Sequence, residues 1–249
     1  MKWTGCCLGL LAACGVKGSG VPDEEERNVG RFVAIQNDSQ VDVNVTIDDS
    51  EFVTVRCDDN LLELIDTEVN DDTLVVKTPR NRNLHPETEC AVDVSVSGLE
   101  SVEASGSGDT RIDGAWDSLV SLESSGSGDL TAHQTLYGLA SVDSSGSGDL
   151  VVEGVDVDEV ALESSGSGDL VVGGVADKAV LDGSGSGNLD ALGLTAVDGV
   201  VDASGSGDVL LTVTGHVTVD LSGSGDVVIE GNPPKTDLDD NGSGDIIVR

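Results

Sequence analysis

The sequence predicts an all-β protein whose body is a parallel β-helix, and three observations carry that prediction. A pentapeptide, Ser-Gly-Ser-Gly-Asp, returns at a nearly constant interval. Apolar residues hold fixed places on either side of it. Both flanks alternate apolar and polar residues with period two, the spacing of a strand. The pentapeptide occupies Ser105–Asp109, Ser125–Asp129, Ser145–Asp149, Ser165–Asp169, Ser204–Asp208 and Ser222–Asp226. Ser184–Asn188 ends in Asn and Asn241–Asp245 begins with Asn, which makes eight copies with steps of 20, 20, 20, 19, 20, 18 and 19 residues.

The first element in the chain is an export signal, residues 1–13. Lys2 supplies a positive start, and Trp3 to Ala13 is mainly apolar and small, too short to span a bilayer, which takes ~20 apolar residues. It ends in Leu11-Ala12-Ala13-Cys14, which resembles the lipobox of bacterial lipoproteins. That resemblance implies that Cys14 becomes the lipid-bearing N-terminus and ties the protein to a membrane. Residues 14–28 then read as a polar, acidic tether, with Asp23, Glu24, Glu25 and Glu26 in a row.

Residues 29–98 lack the pentapeptide but remain β-like. Val41, Val43, Val45 and Ile47 alternate with Asp42, Asn44 and Thr46, and Leu74 to Lys77 follow a turn at Asn70-Asp71-Asp72. This stretch is expected to be an irregular β cover over the first coil, since an open strand edge recruits other chains.

Residues 99–249 carry the repeats. The apolar residue three places before each pentapeptide is Val102, Leu122, Val142, Leu162, Leu181, Val201, Val219 or Leu238. The residue just after it is Leu130, Leu150, Leu170, Leu189, Val209, Val227 or Ile246, with Thr110 the exception. Each repeat is therefore two short strands joined at a Gly-rich corner, with a second corner at Gly114, Gly154 or Gly174. Two such strands cannot bury a core alone, but about eight stacked coils of ~20 residues can, each strand bonding to its copies at ~4.8 Å. Parallel connections are almost always right-handed, so the helix is expected to be right-handed. A propeller blade needs ~40 residues and four strands, which the period does not offer. The motif glycines are expected to permit tight turning with positive φ and close approach of coils, and the serines to hydrogen-bond along their columns. At the far end, Pro233, Pro234, Asp237, Asp239 and Asp240 are expected to blunt the last strand edge.

The chain has a formal net charge of −35, from 47 acidic and 12 basic residues among 249. A field of that sign excludes nucleic acid as a partner. With aromatics at 2%, the core must be built from Val, Leu, Ile and Ala. After cleavage at Cys14, Cys57 and Cys90 are the remaining cysteines. They match no zinc spacing, and in an oxidising compartment they are candidates for a disulfide, two buried thiols being the alternative.

The phrases Val53-Thr54-Val55, Asp59-Asn60-Leu61-Leu62, Thr67-Glu68-Val69 and Thr73-Leu74-Val75-Val76 lead into Val102-Glu103-Ala104 and the pentapeptide series. From about residue 29 to 249 this resembles the auto-transporter adhesin head family, also called the head GIN domain. The resemblance implies an exported bacterial protein, often a lipoprotein, with a β-helical body and an adhesin-like role. It brings no catalytic residues.

An enzyme is not expected. Lyases acting on acidic sugars need Lys or Arg near the substrate, and sugar sites offer aromatic platforms. The repeat region holds Trp116, Tyr137, Lys178 and Lys235, and little else of either kind. His85, His133 and His216 sit in unrelated contexts. The reading is a non-catalytic module lipid-anchored in the bacterial cell envelope, most naturally the outer membrane, adhesive or structural, with an unidentified surface ligand. The alternatives are a Ca²⁺-stabilised binding stalk and a polysaccharide-acting β-helix enzyme. No cofactor is expected beyond Ca²⁺. Its candidate ligands are Asp109, Asp129, Asp149, Asp169, Asp208, Asp226 and Asp245, which share one repeat position. Carboxylates stacked ~5 Å apart repel by ~0.8 kcal/mol per pair even in water. Cations, corner amides, serine hydroxyls or splaying into salty water must offset that.

Overall fold

The computed structural model of the protein describes residues 15–114 and 119–249. Its body is a parallel β-solenoid. The lower coils use short strands: β10 (Ser101–Ala104), β11 (Thr110–Asp113), β12 (Ser121–Ser124), β13 (Leu130–Leu136) and β14 (Ser141–Ser144). From Leu150 the chain stays extended through the second corner, giving β15 (Leu150–Ser164), β16 (Leu170–Gly183), β17 (Leu189–Ala203) and β18 (Val209–Leu221). The stack ends in β19 (Val227–Glu230), β20 (Lys235–Asp240) and β21 (Ile246–Val248). Among the described residues no helix is long and apolar enough to cross a membrane.

Alternation sets which way each strand faces. In β10, Val102 and Ala104 point inward and are buried, while Ser101 and Glu103 point outward. Register then stacks like on like. Val102, Leu122, Val142, Leu162, Leu181, Val201 and Val219 form one interior column, every member at most 1% exposed. Leu130, Leu150, Leu170, Leu189, Val209 and Val227 form a second on the adjoining face, equally buried. Burying an aliphatic side chain of this size contributes about 1.5–3 kcal/mol, so these columns hold the solenoid together without aromatic residues.

The eight pentapeptide corners lie one above another. In a typical step the Ser145 and Gly146 amides donate to the Ser124 carbonyl and the Ser147 amide donates to the Gly126 carbonyl, at 2.8 to 3.2 Å. Here one expectation needs correcting. The motif glycines are not in the left-handed region, and among the described glycines positive φ is confined to Gly20, Gly114, Gly174 and Gly231. The second reason stands alone. A Cβ on Gly148 would overlap the carbonyl oxygen of Gly128 in the coil below, and the clash recurs at every motif glycine above the first coil. Positive φ is used instead at the second corner, by Gly114 (φ 122°) and Gly174 (φ 124°), but not by Gly154.

The N-terminal region is more ordered than an irregular cover. β3 (Ala34–Asp38) and β4 (Asp42–Ile47) form a full coil directly beneath β10 and β11. β7 (Thr73–Lys77) and β9 (Ala91–Val96) form another beneath that, pairing in parallel with β3 and β4. The layers are thus out of chain order, because the coil of β3 and β4 sits between two coils that follow it in sequence. Antiparallel strands close the base: β5 (Phe52–Asp58) on β9, β2 (Pro22–Glu26) on β5, and β6 (Asp66–Asn70) on β7. A 3₁₀ turn, Leu62–Leu64, links β5 to β6, and Leu61, Leu62 and Ile65 are buried there. A short parallel pair, β1 (Val16–Lys17) with β8 (Leu84–His85), stands apart from the main sheet.

At the other end no described strand covers β20 or β21, and Leu238 in the interior column is 46% exposed. Pro233 and Pro234 precede β20, whose Asp237, Asp239 and Asp240 are all exposed.

Candidate functional site

Surfaces that repeat at every coil dominate this molecule, and the site is best described as its outer columns. The corner column is the one the sequence singles out. The Asp129 amide donates to Asp109 Oδ1 at 2.9 Å, Asp149 to Asp129 at 2.9 Å, and Asp169 to Asp149 at 2.9 Å. The chain of bonds continues through Asn188, Asp208, Asp226 and Asp245 at 2.8 to 3.0 Å. It begins at Asp42, whose Oδ1 accepts from the Asp109 amide, so β4 supplies a ninth member that the pentapeptide search could not see. One side-chain oxygen of each lower residue, a carboxylate oxygen except at Asn188, thus holds the coil above it. An amide donor at hydrogen-bond distance offsets like-charge repulsion because its positive end faces the anion. Of the compensations weighed above, the corner amides are seen directly in these hydrogen bonds. The serines do not take part, since the hydroxyls of Ser107, Ser127, Ser147 and their copies are exposed and bond to no other group among the described residues. Among the described residues no three His, Cys, Asp or Glu side chains gather around one point.

A second acidic column lies on the face before the corner. Register aligns Glu103, Glu123, Asp143, Glu163, Asp182, Asp202, Asp220 and Asp239 directly above one another. Sequence reasoning passed over it, although each member stands two residues before its pentapeptide and the signal was as periodic as the motif. Burial, then the charges of Glu103 and Asp143, pushes the Glu123 carboxyl above its usual range. Burial does the same to Asp143, whose Oδ1 is buried with no partner. The face after the corner differs in character. Its outward column runs Val151, Val171, Asp190, Leu210, Val228 and Ile247, with Val171 and Ile247 well exposed.

The remaining candidate residues lie apart from these columns. Cys57 and Cys90 are joined by a disulfide that ties β5 to the segment before β9. Beside it Asp58 is fully buried. Burial pushes its carboxyl up, but the amides of Glu87, Thr88 and Gly20 outweigh that and hold it below the usual range. This clasp fixes the segment that follows Cys14, while Cys14 itself lies outside the described residues. His133 faces Glu153 at 2.8 Å, His216 faces Asp237 at 2.9 Å, and His85 is on the isolated β8, so the three histidines are not brought together.

A stacked parallel body on this antiparallel base is also what comparison recovers. The family described as "Putative auto-transporter adhesin, head GIN domain" matches residues 31–233. The chain belongs to this family. Solved structures share the fold of this head GIN protein. A "putative adhesin" from Parabacteroides distasonis is 22% identical with a TM-score of 0.83, covering 94% of this chain and 100% of its own. A "putative lipid binding protein" from the same species is 22% identical with a TM-score of 0.82, covering 93% and 99%. A "putative adhesin" from Parabacteroides merdae is 21% identical with a TM-score of 0.80, covering 94% and 99%. No curated protein matches the chain.

Proposed function

We propose that this head GIN protein is an exported, non-catalytic surface module, held to the bacterial envelope by a lipid on Cys14 and binding its partner through periodic outer columns. One observation carries the reading. The same chemistry is repeated in register at every coil, as a line of free serine hydroxyls beside a line of carboxylates. A surface repeating at ~4.8 Å suits many weak identical contacts, which add up through multivalency, and has no place where one catalytic constellation is distinguished from its neighbours. Family membership supports the adhesive character. The buried clasp at Asp58 and the Cys57–Cys90 disulfide suit a body loaded from its tethered end.

The test is to express the full chain and a Cys14→Ser variant in a host bacterium lacking the protein. Membrane fractionation, protease accessibility on intact cells and attachment to surfaces or to other cells are measured together. The reading expects the full chain to be membrane-bound, surface-accessible and to raise attachment, and the variant to be released and to raise nothing. Attachment unchanged by a surface-exposed full chain removes the adhesive role. A membrane-bound Cys14→Ser variant removes the lipid anchor.

A further inference from the structure

The two phenylalanines of the chain, Phe32 and Phe52, line one cleft of ≈ 560 Å³ at the base of the solenoid. Its walls are the segment between β2 and β3, the start of β5 and the end of β9. The segment is held in place by the Arg27 amide on the Val53 carbonyl at 2.8 Å and the Glu100 amide on the Val33 carbonyl at 2.6 Å. Val29 and Phe32 pack against the core, while Phe52 and Val33 are 43% and 42% exposed. The volume is within the range of small-ligand sites, and the walls set two phenylalanines and four valines among charged and polar groups.

Two cations share the cleft. Arg31 forms no ion pair, in a protein where acidic residues outnumber basic ones by 47 to 12. Arg27 is paired with Glu25 and donates to the Leu62 carbonyl, yet its Nε is buried with no partner. Glu26 and Glu51 also line the cleft, both exposed to solvent. Among the described residues no carboxylate pairs with Arg31, so a head group there meets a guanidinium with its donors free.

We infer that this cleft binds an amphipathic anion, an alkyl chain ending in a carboxylate. The chain lies on Phe32, Phe52, Val29 and Val33, and the carboxylate faces Arg31 and Arg27. A guanidinium is suited to this because its planar fork matches a carboxylate. The site is distinct from the outer columns and does not depend on the adhesive reading.

The experiment uses the full chain carrying Cys14→Ser, so that no detergent competes, with cis-parinaric acid as the fluorescent probe. Saturable binding of the probe and its displacement by palmitate are expected. Dodecanol, with no charge, displaces at least about tenfold more weakly, and butyrate, with no chain, does not displace. Phe52→Asp loses the probe, and Val33→Asp does the same should the first variant melt early. Arg31→Glu weakens palmitate by about tenfold or more, while Arg82→Glu, another arginine without an ion pair, changes nothing. No saturable probe binding overturns the inference, as does retention of the probe by both apolar-wall variants. Equal affinity for palmitate and dodecanol, or an unchanged Arg31→Glu variant, overturns the anionic half of it.

Discussion

The side-chain amide of Asn37 donates to the hydroxyl of Thr110 across 3.1 Å, deep inside the lowest coils. Both residues are exceptions to the pattern above them. Asn37 fills an interior place taken by Ala104 and Ser124 in later coils, and Thr110 stands where every later coil has Leu, Val or Ile. Each is 1% exposed or less, and Asn37 Oδ1 also accepts from the Ser39 hydroxyl at 2.6 Å. A buried amide is tolerated only with partners, and Thr110 supplies the shortest of three acceptors, the Val41 and Gly108 carbonyls standing at 3.3 Å. Thr110→Val keeps the shape and removes the acceptor, and is expected to cost about 1 kcal/mol in denaturant unfolding. Combined with Asn37→Ala, its cost should be smaller than the sum of the two single changes. Strict additivity in that double-mutant cycle would mean that the pair is not coupled.

Gly148→Ala should be among the most damaging single-atom changes available. Its new methyl has to displace the backbone of the coil below, which costs about 1–3 kcal/mol or more. Ser147→Ala, one residue away with an exposed hydroxyl, should stay within about 0.5 kcal/mol. Chemical denaturation of both variants checks the contrast. Equal stability would mean that the coils have room for side chains at the corner.

The corner ladder needs an acceptor oxygen more than it needs a charge, as Asn188 demonstrates by accepting from the Asp208 amide at 3.0 Å. Asp149→Asn is therefore expected to melt within about 1–2 °C of the parent, and Asp149→Ala to melt lower by up to about 4 °C. Salt should raise the melting temperature of the parent by screening. CaCl₂ and NaCl at matched ionic strength should act alike, and a rise specific to Ca²⁺ that is lost in Asp149→Asn would place the cation on this column.

The acidic face predicts an inverted pH response. Glu123 and Asp143 have folded-state pKa values raised above their ordinary ones, so the native state holds their protons more tightly than the unfolded chain does. Their contribution favours folding when protonated, and it is lost as pH rises from the ordinary carboxylate range through the raised one. Asp58 acts in the opposite sense, as does Asp93 on β9, where burial is outweighed by the Arg56 guanidinium and the Asn44 amide, which hold the carboxyl low; both lose their contribution as pH falls. Glu123→Gln should raise the melting temperature at pH 7 by about 1–2 °C and narrow the gap between parent and variant at pH 4. A variant that melts lower than the parent at pH 7 would show that this column is not repulsive.

Removing one whole period should leave the stack intact. Leu150 pairs with Leu170 and Glu163 with Asp182, so deleting Leu150–Asp169 joins Asp149 to Leu170 in register. A modest loss of stability with an unchanged far-ultraviolet spectrum is expected. Deleting residues 150–159 leaves the next corner half a coil out of phase and should collapse the upper repeats. Similar behaviour of the two deletions would contradict the stacked arrangement.

What was legible in the sequence is what recurs. The pentapeptide gave the corners, and the apolar residues at fixed offsets gave the two interior columns, because register copies one coil onto the next. Glu103 and its equivalents were equally periodic, but acidic residues in a chain this acidic read as ordinary solvated positions. The amide ladder was hidden for another reason. Asp109 and Asp129 promise repulsion as side chains, and only the backbone path around the corner reveals a donor between them. The base was least legible because β3, β4, β7 and β9 carry no repeat, and their order depends on contacts made across tens of residues, such as Ile35 with Leu74 and with Val102.

That interleaved base constrains how the molecule can assemble. The coil of β3 and β4 gains its lower neighbour only when residue 96 is available and its upper neighbour only when residue 113 is. The chain therefore cannot wind up turn by turn from its first strand. A long stretch must be gathered before any coil is flanked on both sides, which makes the base the slow, loop-closing step of folding. Above it each further coil needs only the one beneath, so growth is local and rapid. Unwinding runs the same path backwards: the uncovered turns at β20 and β21 fray first, and native-state hydrogen exchange should slow progressively from there toward the base.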